Sequence, residues 1–144
     1  MYIAVDFDGT IVEHRFPHIG PPVPGALEWL LTFQTLGAKL ILNTIRDSGR
    51  PQKAGGDVLA PALTYLKANH IKLFGMNENP DQKAWSKSPK VYAHIYIDDA
   101  AYGCPLVYVD ARPPYADWSK IGPAVLEMIS TESWKGKTND VRWG

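Results

Sequence analysis

The chain reads as an α/β domain on a parallel β-sheet, because short apolar runs alternate with helix-patterned segments along its length. The apolar runs are nearly unbroken, as in strands buried on both faces. No repeat or linker interrupts the pattern, and 144 residues suit one ordinary domain with a real core. Such a sheet carries helices on both faces.

The first strand is Tyr2-Ile3-Ala4-Val5, which stops at Asp6. Residues 10–23 (TIVEHRFPHIGPPV) mix β-branched, charged, Pro and Gly residues and predict a loop or short hairpin-like flap. From Pro24 the pattern turns helical. Ala26, Leu27, Leu30, Leu31 and Phe33 crowd one side, and Gly37 supplies the stop. Residues 39–43 form the second strand, and the polar loop RDSGRPQKAGG follows. Asp57 then caps a helix carrying Val58, Leu59, Leu63, Tyr65 and Leu66. Residues 71–74 predict a third strand and 75–89 a loop rich in Asn, Pro and Ser. A fourth strand over 91–97 ends at Asp98-Asp99, and residues 106–109 predict a fifth. The last helix falls between Trp118 and Ser130, with Gly122-Pro123 blurring its start, and the tail 131–144 lacks periodicity.

Composition narrows the function classes. The chain is 45% hydrophobic and 21% charged with a formal net charge of zero. It therefore lacks the basic footprint of a non-specific nucleic-acid binder or a polybasic membrane contact. No apolar stretch approaches the ~20 residues of a membrane span, and the opening MYIAVDFDGT has acids where a signal peptide needs apolar residues. The single cysteine, Cys104, allows no intrachain disulfide. It sits between Gly103 and Pro105 with no base beside it in sequence, and reads as a small turn residue. These features point to the cytoplasm.

In open parallel sheets, ligands bind outside the carboxyl ends of the strands, where strand order reverses. Strand one is followed by Asp6-Phe7-Asp8-Gly9-Thr10, strand two by Asn43-Thr44-Ile45-Arg46-Asp47, and strand four by Asp98-Asp99. Each piece alone has a plain explanation as a turn or cap; their joint placement at one sheet edge does not. Carboxylates brought together raise one another's pKa, and a bound divalent cation removes that repulsion. Hard oxygen ligands without a cysteine or histidine set suit Mg²⁺ over Zn²⁺.

DFDGT, a hydrophobic strand ending in Thr and then IDD, in that order over residues 1–100, resembles the haloacid-dehalogenase-like (HAD) superfamily, whose members are largely phosphatases. The resemblance implies a Rossmann-like, doubly wound three-layer sandwich with a mostly parallel five-stranded sheet in the order 3-2-1-4-5. It implies that Asp6, ionised at neutral pH, attacks phosphorus to form an aspartyl-phosphate, while Asp8 protonates the leaving alcohol and then activates water. Mg²⁺ is expected on Asp6, the Asp8 main-chain carbonyl and Asp98, with Asp99 in support. Thr44 and the Ile45 amide are expected to hold the phosphoryl group. Gly9 is expected to permit a tight turn that Thr10 supports, and both are candidate substrate contacts. The family's phosphoryl-binding cation corresponds to Lys90, with Lys83 and Lys87 in reserve. The family often places leaving-group contacts in the flap, which here offers His14, Arg15 and His18.

Other polar residues divide between roles. Arg46 either contacts substrate or pairs with Asp47 or Asp99. Asn77 and Asn79 either line the pocket or shape turns. His94 reads as structural, and the five tryptophans as packing rather than a base-stacking platform. A receiver domain is disfavoured, because no Asp follows the third strand.

The intervals between the motifs leave no room for a cap domain. An open site can accept bulky substrates or borrow a neighbouring copy's loops by oligomerising. The leading expectation is therefore a phosphomonoesterase for a small phosphorylated metabolite. The alternatives are a phosphatase for nucleic-acid ends or phosphoproteins, and a non-catalytic binding domain on the same fold.

Overall fold

In the computed structural model, which describes residues 1–137, four strands make one parallel sheet. They are β1 (Tyr2–Val5), β2 (Lys39–Leu42), β3 (Leu73–Met76) and β4 (Ile95–Ile97), in the order 3-2-1-4. The part of the tail beyond residue 137 lies outside the described residues. Register places Ile3 beside Leu40 and Ile95, and Val5 beside Leu42 and Ile97. Strands β1, β2 and β4 therefore end level, at Val5, Leu42 and Ile97.

Helices α1 (Ala26–Thr35), α2 (Leu59–Ala68) and α3 (Trp118–Thr131) follow β1, β2 and β4 in the chain. The main core joins Ile3, Val5, Leu40, Leu42 and Ile97 to buried residues of all three helices, among them Phe33, Leu66 and Trp118. Side chains alternate across a strand, so Ala4, Ile41 and Tyr96 belong to the other face. That face lies under irregular chain from residue 77 to 94, whose one regular turn is the 3₁₀ helix Pro80–Ala84. The Tyr96 hydroxyl donates to the Val91 carbonyl and accepts the Ala93 amide.

The α2 start is held as predicted, with Asp57 Oδ1 accepting the Leu59 and Ala60 amides. Helix α3 runs unbroken through Gly122 and Pro123 and is started by Asp117, whose side chain accepts the Ser119 amide. Gly122 is required there, because a Cβ would lie 2.1 Å from the Trp29 ring.

Three sequence expectations need correction. The sheet has four strands, not five: residues 106–107 (β5) instead pair antiparallel with 115–116 (β6) in a separate ribbon. Pro105, with no N–H to give a ladder, precedes β5; its carbonyl takes the Asp117 amide within the ribbon, and Ala116 N–H fastens the ribbon to the Gly9 carbonyl. Second, β4 begins at Ile95 rather than Val91. Its approach is held by side chains: buried Gln82 binds the Lys90 carbonyl and Tyr92 amide, and buried Asn79 the Tyr92 carbonyl. Third, the face opposite the helices is covered by this segment and not by a helical layer. The predicted flap is present, with Val12 bridged to Pro22 and the Glu13 amide donating to the Pro21 carbonyl. No helix is long and apolar enough to cross a membrane among the described residues.

Candidate active site

The level strand ends bring the sequence motifs together. Asp6 follows β1 and its amide donates to the Ile97 carbonyl, while the Asn43 amide donates to that of Val5. These bonds extend the ladder one residue past the sheet, so Asp6 sits between the Thr44 turn and Asp98-Asp99. A cleft of about 450 Å³ opens there, lined by Asp6, Asp8, His14, Phe16, Asn43, Thr44, Ile45, Asp98, Asp99 and Ala100.

One wall is acidic. Carboxylate oxygens of Asp6, Asp98 and Asp99 lie within 4.8 Å of one another, close enough to share one cation. Burial pushes the Asp6 carboxyl up, and the charge of Asp98 and a hydrogen bond with Asp99 push it further, to about 8. This departs from the ordinary ionised carboxylate expected of the sequence. All three donors are hard oxygens, and a divalent cation among them would reverse both charge effects. The donor set thus fits Mg²⁺. The same acids act on Cys104, whose thiol is pushed up by burial and then by Asp99 and Asp98, consistent with an inert turn residue.

Thr10 organises this wall from behind. It is fully buried; its hydroxyl lies 3.2 Å from Asp6 Oδ2 and 3.3 Å from Asp99 Oδ1, and accepts the Asp99 amide. Its carbonyl takes the Trp118 indole N–H at 2.7 Å, which ties the motif to α3. Gly9, at φ +80°, leaves no room for a Cβ, which would fall 2.1 Å from His14 Nε2 and 2.4 Å from Asp99 Oδ2. Both residues were candidate substrate contacts; both are instead buried supports. His14 does line the cleft and bonds Asp99 at 2.8 Å.

The opposite wall is the turn after β2. The Thr44 amide is taken by the Asn77 side chain at 2.7 Å, and Thr44 Oγ accepts the Arg46 amide. The Thr44 hydroxyl proton therefore stays available, and the Ile45 amide makes no hydrogen bond among the described residues. Asn77 shapes the turn and Asn79 caps a 3₁₀ helix, so neither lines the cleft.

Arg46 corrects the sequence reading most sharply. It pairs with neither Asp47 nor Asp99 and reaches no solvent. Its Nε and Nη2 grip both oxygens of Asp8 at 2.8 Å, and its remaining donors bind the carbonyls of Pro17, His18 and Val58. It joins the first motif, the flap and the start of α2. Asp8 lines the cleft, but both of its oxygens are engaged.

Lys90 is not brought to the site. It lies on the Tyr96 ring, with Nζ 5.7 Å from the centroid. The residues that follow it, Tyr92 and His94, pack on Tyr2 at the edge of the sheet away from the cleft. Lys83 pairs with Glu78 at 3.0 Å, and Lys87 does not line the cleft. Arg15 is exposed outside it, and His18 contributes its carbonyl to Arg46. Sequence reasoning missed Phe16, Asn43 and Ala100 as lining residues. Asn43 and Ala100 adjoin motif residues and were within reach; Phe16 carried no polar signal.

No family model and no curated protein matches the chain. A solved structure of a conserved protein from Bacteroides thetaiotaomicron is 33% identical, with a TM-score of 0.66. The match covers 92% of this chain and 91% of that one. At that identity over nearly the full length of both, this chain belongs to the same family as the conserved Bacteroides protein.

Proposed function

We infer that the protein is a Mg²⁺-dependent phosphohydrolase that cleaves a phosphomonoester with Asp6 as nucleophile, as its resemblance to the HAD superfamily implies. The observation that carries this reading is one cleft with the Asp6, Asp98 and Asp99 carboxylates on one wall and the Thr44 hydroxyl and Ile45 amide on the other. A Rossmann-like strand order accords with this reading, because it sets β1 beside β4 and so pairs the acidic motifs.

Asp6, Asp98 and the Asp8 main-chain carbonyl would hold the cation, with Asp99 in support; when bound, the ion would offset the carboxylates and charge on the phosphoryl oxygens. Thr10 fixes the Asp6 carboxylate for in-line attack on phosphorus. The Thr44 hydroxyl and Ile45 amide donate to the phosphoryl oxygens. Attack forms the Asp6–phosphorus bond and breaks the bond to the alkoxide oxygen, which takes a proton from Asp8. Asp8 then takes a proton from the water that cleaves the aspartyl-phosphate, releasing phosphate and restoring Asp6. The Asp8 proton shuttle requires its grip by Arg46 to loosen during turnover.

The test is phosphate release by purified protein with Mg²⁺ across sugar phosphates, nucleotides, phosphorylated oligonucleotides and phosphopeptides. Activity should vanish with EDTA and return with Mg²⁺. Asp6→Asn should lower kcat by at least about a thousandfold without unfolding the protein. Undiminished activity in that variant would end the covalent mechanism.

The Arg46 grip on both Asp8 oxygens favours a second reading, a domain that binds phosphorylated ligands without turning them over. Binding of a phosphate ester with no phosphate release anywhere in the panel would select it.

A further inference from the structure

The cleft differs in chemistry between its floor and its rim. The floor holds the carboxylates and the phosphoryl donors described above. On the rim stand Phe16 from the flap and Ile45 from the turn after β2, and both line the cleft while remaining exposed, at 39% and 84%. A single exposed apolar residue needs no explanation. Two that face one small polar cleft, each held in place, do.

The placement of both is fixed. The Phe16 ring lies 5.1 Å from the Arg46 guanidinium carbon and 4.8 Å from that of Arg50. Arg46 is locked by its five hydrogen bonds, and Arg50 Nε donates to the Ala54 carbonyl. The backbone on either side of Ile45 is pinned, since Asn77 holds the Thr44 amide and Thr44 Oγ the Arg46 amide. Ile45 therefore projects into water because its turn holds it there.

The lining residues also include no lysine and no arginine. A second phosphate or a carboxylate on the substrate would find among them only His14, which is already bonded to Asp99. The hydroxyls of a sugar would leave water for an aromatic ring and a branched alkyl group that return no hydrogen bond, which is unfavourable. An apolar group placed there would instead cover surface that now faces water.

We propose that Phe16 and Ile45 form a leaving-group subsite that selects monophosphates of apolar, uncharged alcohols, such as arylalkyl alcohols, over sugar phosphates and substrates with a second anionic group. This rests on the phosphohydrolase reading above and names its substrate class. The floor takes the phosphoryl group, which every phosphomonoester shares, and the rim discriminates between the alcohols.

The experiment compares kcat/KM for benzyl phosphate and glycerol 3-phosphate with wild-type protein and Mg²⁺. Both release a primary alcohol, so the comparison reads recognition more than leaving ability. Benzyl phosphate should be preferred by about tenfold or more, the scale on which an apolar pocket discriminates. Phe16→Ala and, separately, Ile45→Ser should each lower that ratio by about tenfold. Ile45 lies outside the core, so its variant keeps the test valid should Phe16→Ala disturb the flap. Preference for glycerol 3-phosphate, or a ratio unchanged in both variants, overturns this inference alone. So does turnover of other phosphate esters without turnover of benzyl phosphate. Turnover of no phosphate ester at all removes the phosphohydrolase reading, and this inference with it.

Discussion

At the scale of single residues, Arg46 shows how one side chain can decide both stability and the freedom of the chemistry. Its guanidinium is buried between the motif after β1, the flap and the segment before α2, and every bond it makes crosses between them. Removing one partner of a buried ion pair leaves the other charge uncompensated, a loss of about 3–5 kcal/mol. Arg46→Met should therefore lower unfolding stability by that amount, read as a shift in the urea midpoint at constant slope. Adding Asp8→Asn should recover part of the loss, because the stranded charge goes with it; the carbonyls of Pro17, His18 and Val58 stay unserved. A double variant as unstable as the sum of the two single variants would mean that the Asp8 pair contributes nothing particular. The sequence displays an arginine after a strand and several acids within reach. It carries no distance, so the choice among Asp8, Asp47 and Asp99 was not legible. Asp6, Thr44 and Asp98 were legible, because a strand end fixes direction as well as position.

At the scale of elements, the parallel strands were readable from apolar runs, while the fourth and fifth exposed the limit of periodicity. Residues 91–94 look like strand because Val91 and Ala93 alternate with Tyr92 and His94. The pattern reports burial: Gln82, Asn79 and the Tyr96 hydroxyl bind the backbone of residues 91–93 in place of a ladder, and the His94 amide reaches the Tyr2 carbonyl of β1. Lys90 was misplaced for another reason: it was matched to the family by its spacing before Asp98, and spacing does not show the path of the chain before β4. The region it joins has its own electrostatics. The Tyr2 hydroxyl donates to Asp81 Oδ2 at 2.6 Å, and Lys39 Nζ donates to the same oxygen at 3.0 Å. Burial raises the Tyr2 phenol, and the Asp81 hydrogen bond and charge raise it further, from 10.0 to about 12. A raised folded-state pKa means that the native protein holds the proton more tightly than the unfolded chain. The stabilisation is complete below pH 10 and is lost as pH climbs toward 12. Stability measured by denaturant titration should fall across that window, and Tyr2→Phe should flatten the fall. Some slope should remain, because Tyr65 is raised in the same direction by burial and by Glu28. An identical pH profile in Tyr2→Phe would show that the Tyr2–Asp81 contact does not persist in solution.

At the scale of the whole molecule, the order 3-2-1-4 matters more than the missing fifth strand, because it alone sets the two acidic segments on adjacent strands. Between β1 and β2 the chain inserts only the flap and α1, so the cleft is bounded by the flap, the turn after β2 and the segment after β4. The cost of this design is a buried negative floor, where burial and then Asp98 and Asp99 drive up the carboxyl of Asp6. An ion that binds there stabilises the folded chain by mass action, about 2.7 kcal/mol at one hundred times its dissociation constant. For a chain of this length that corresponds to a rise of about 9 °C in Tm. Mg²⁺ added to EDTA-treated protein should produce such a rise, saturating with concentration. Asp98→Asn should behave in two opposed ways at once. Without the Asp98 charge the Asp6 carboxyl meets less repulsion, so the metal-free variant should melt no lower than wild type. It has also lost a ligand, so Mg²⁺ should barely move its Tm. Calorimetric melts of both proteins with and without Mg²⁺ read the two effects separately. A metal-free Asp98→Asn that melts well below wild type would make Asp98 a structural residue. An Mg²⁺ response that survives the substitution would place the ion somewhere other than among these three carboxylates.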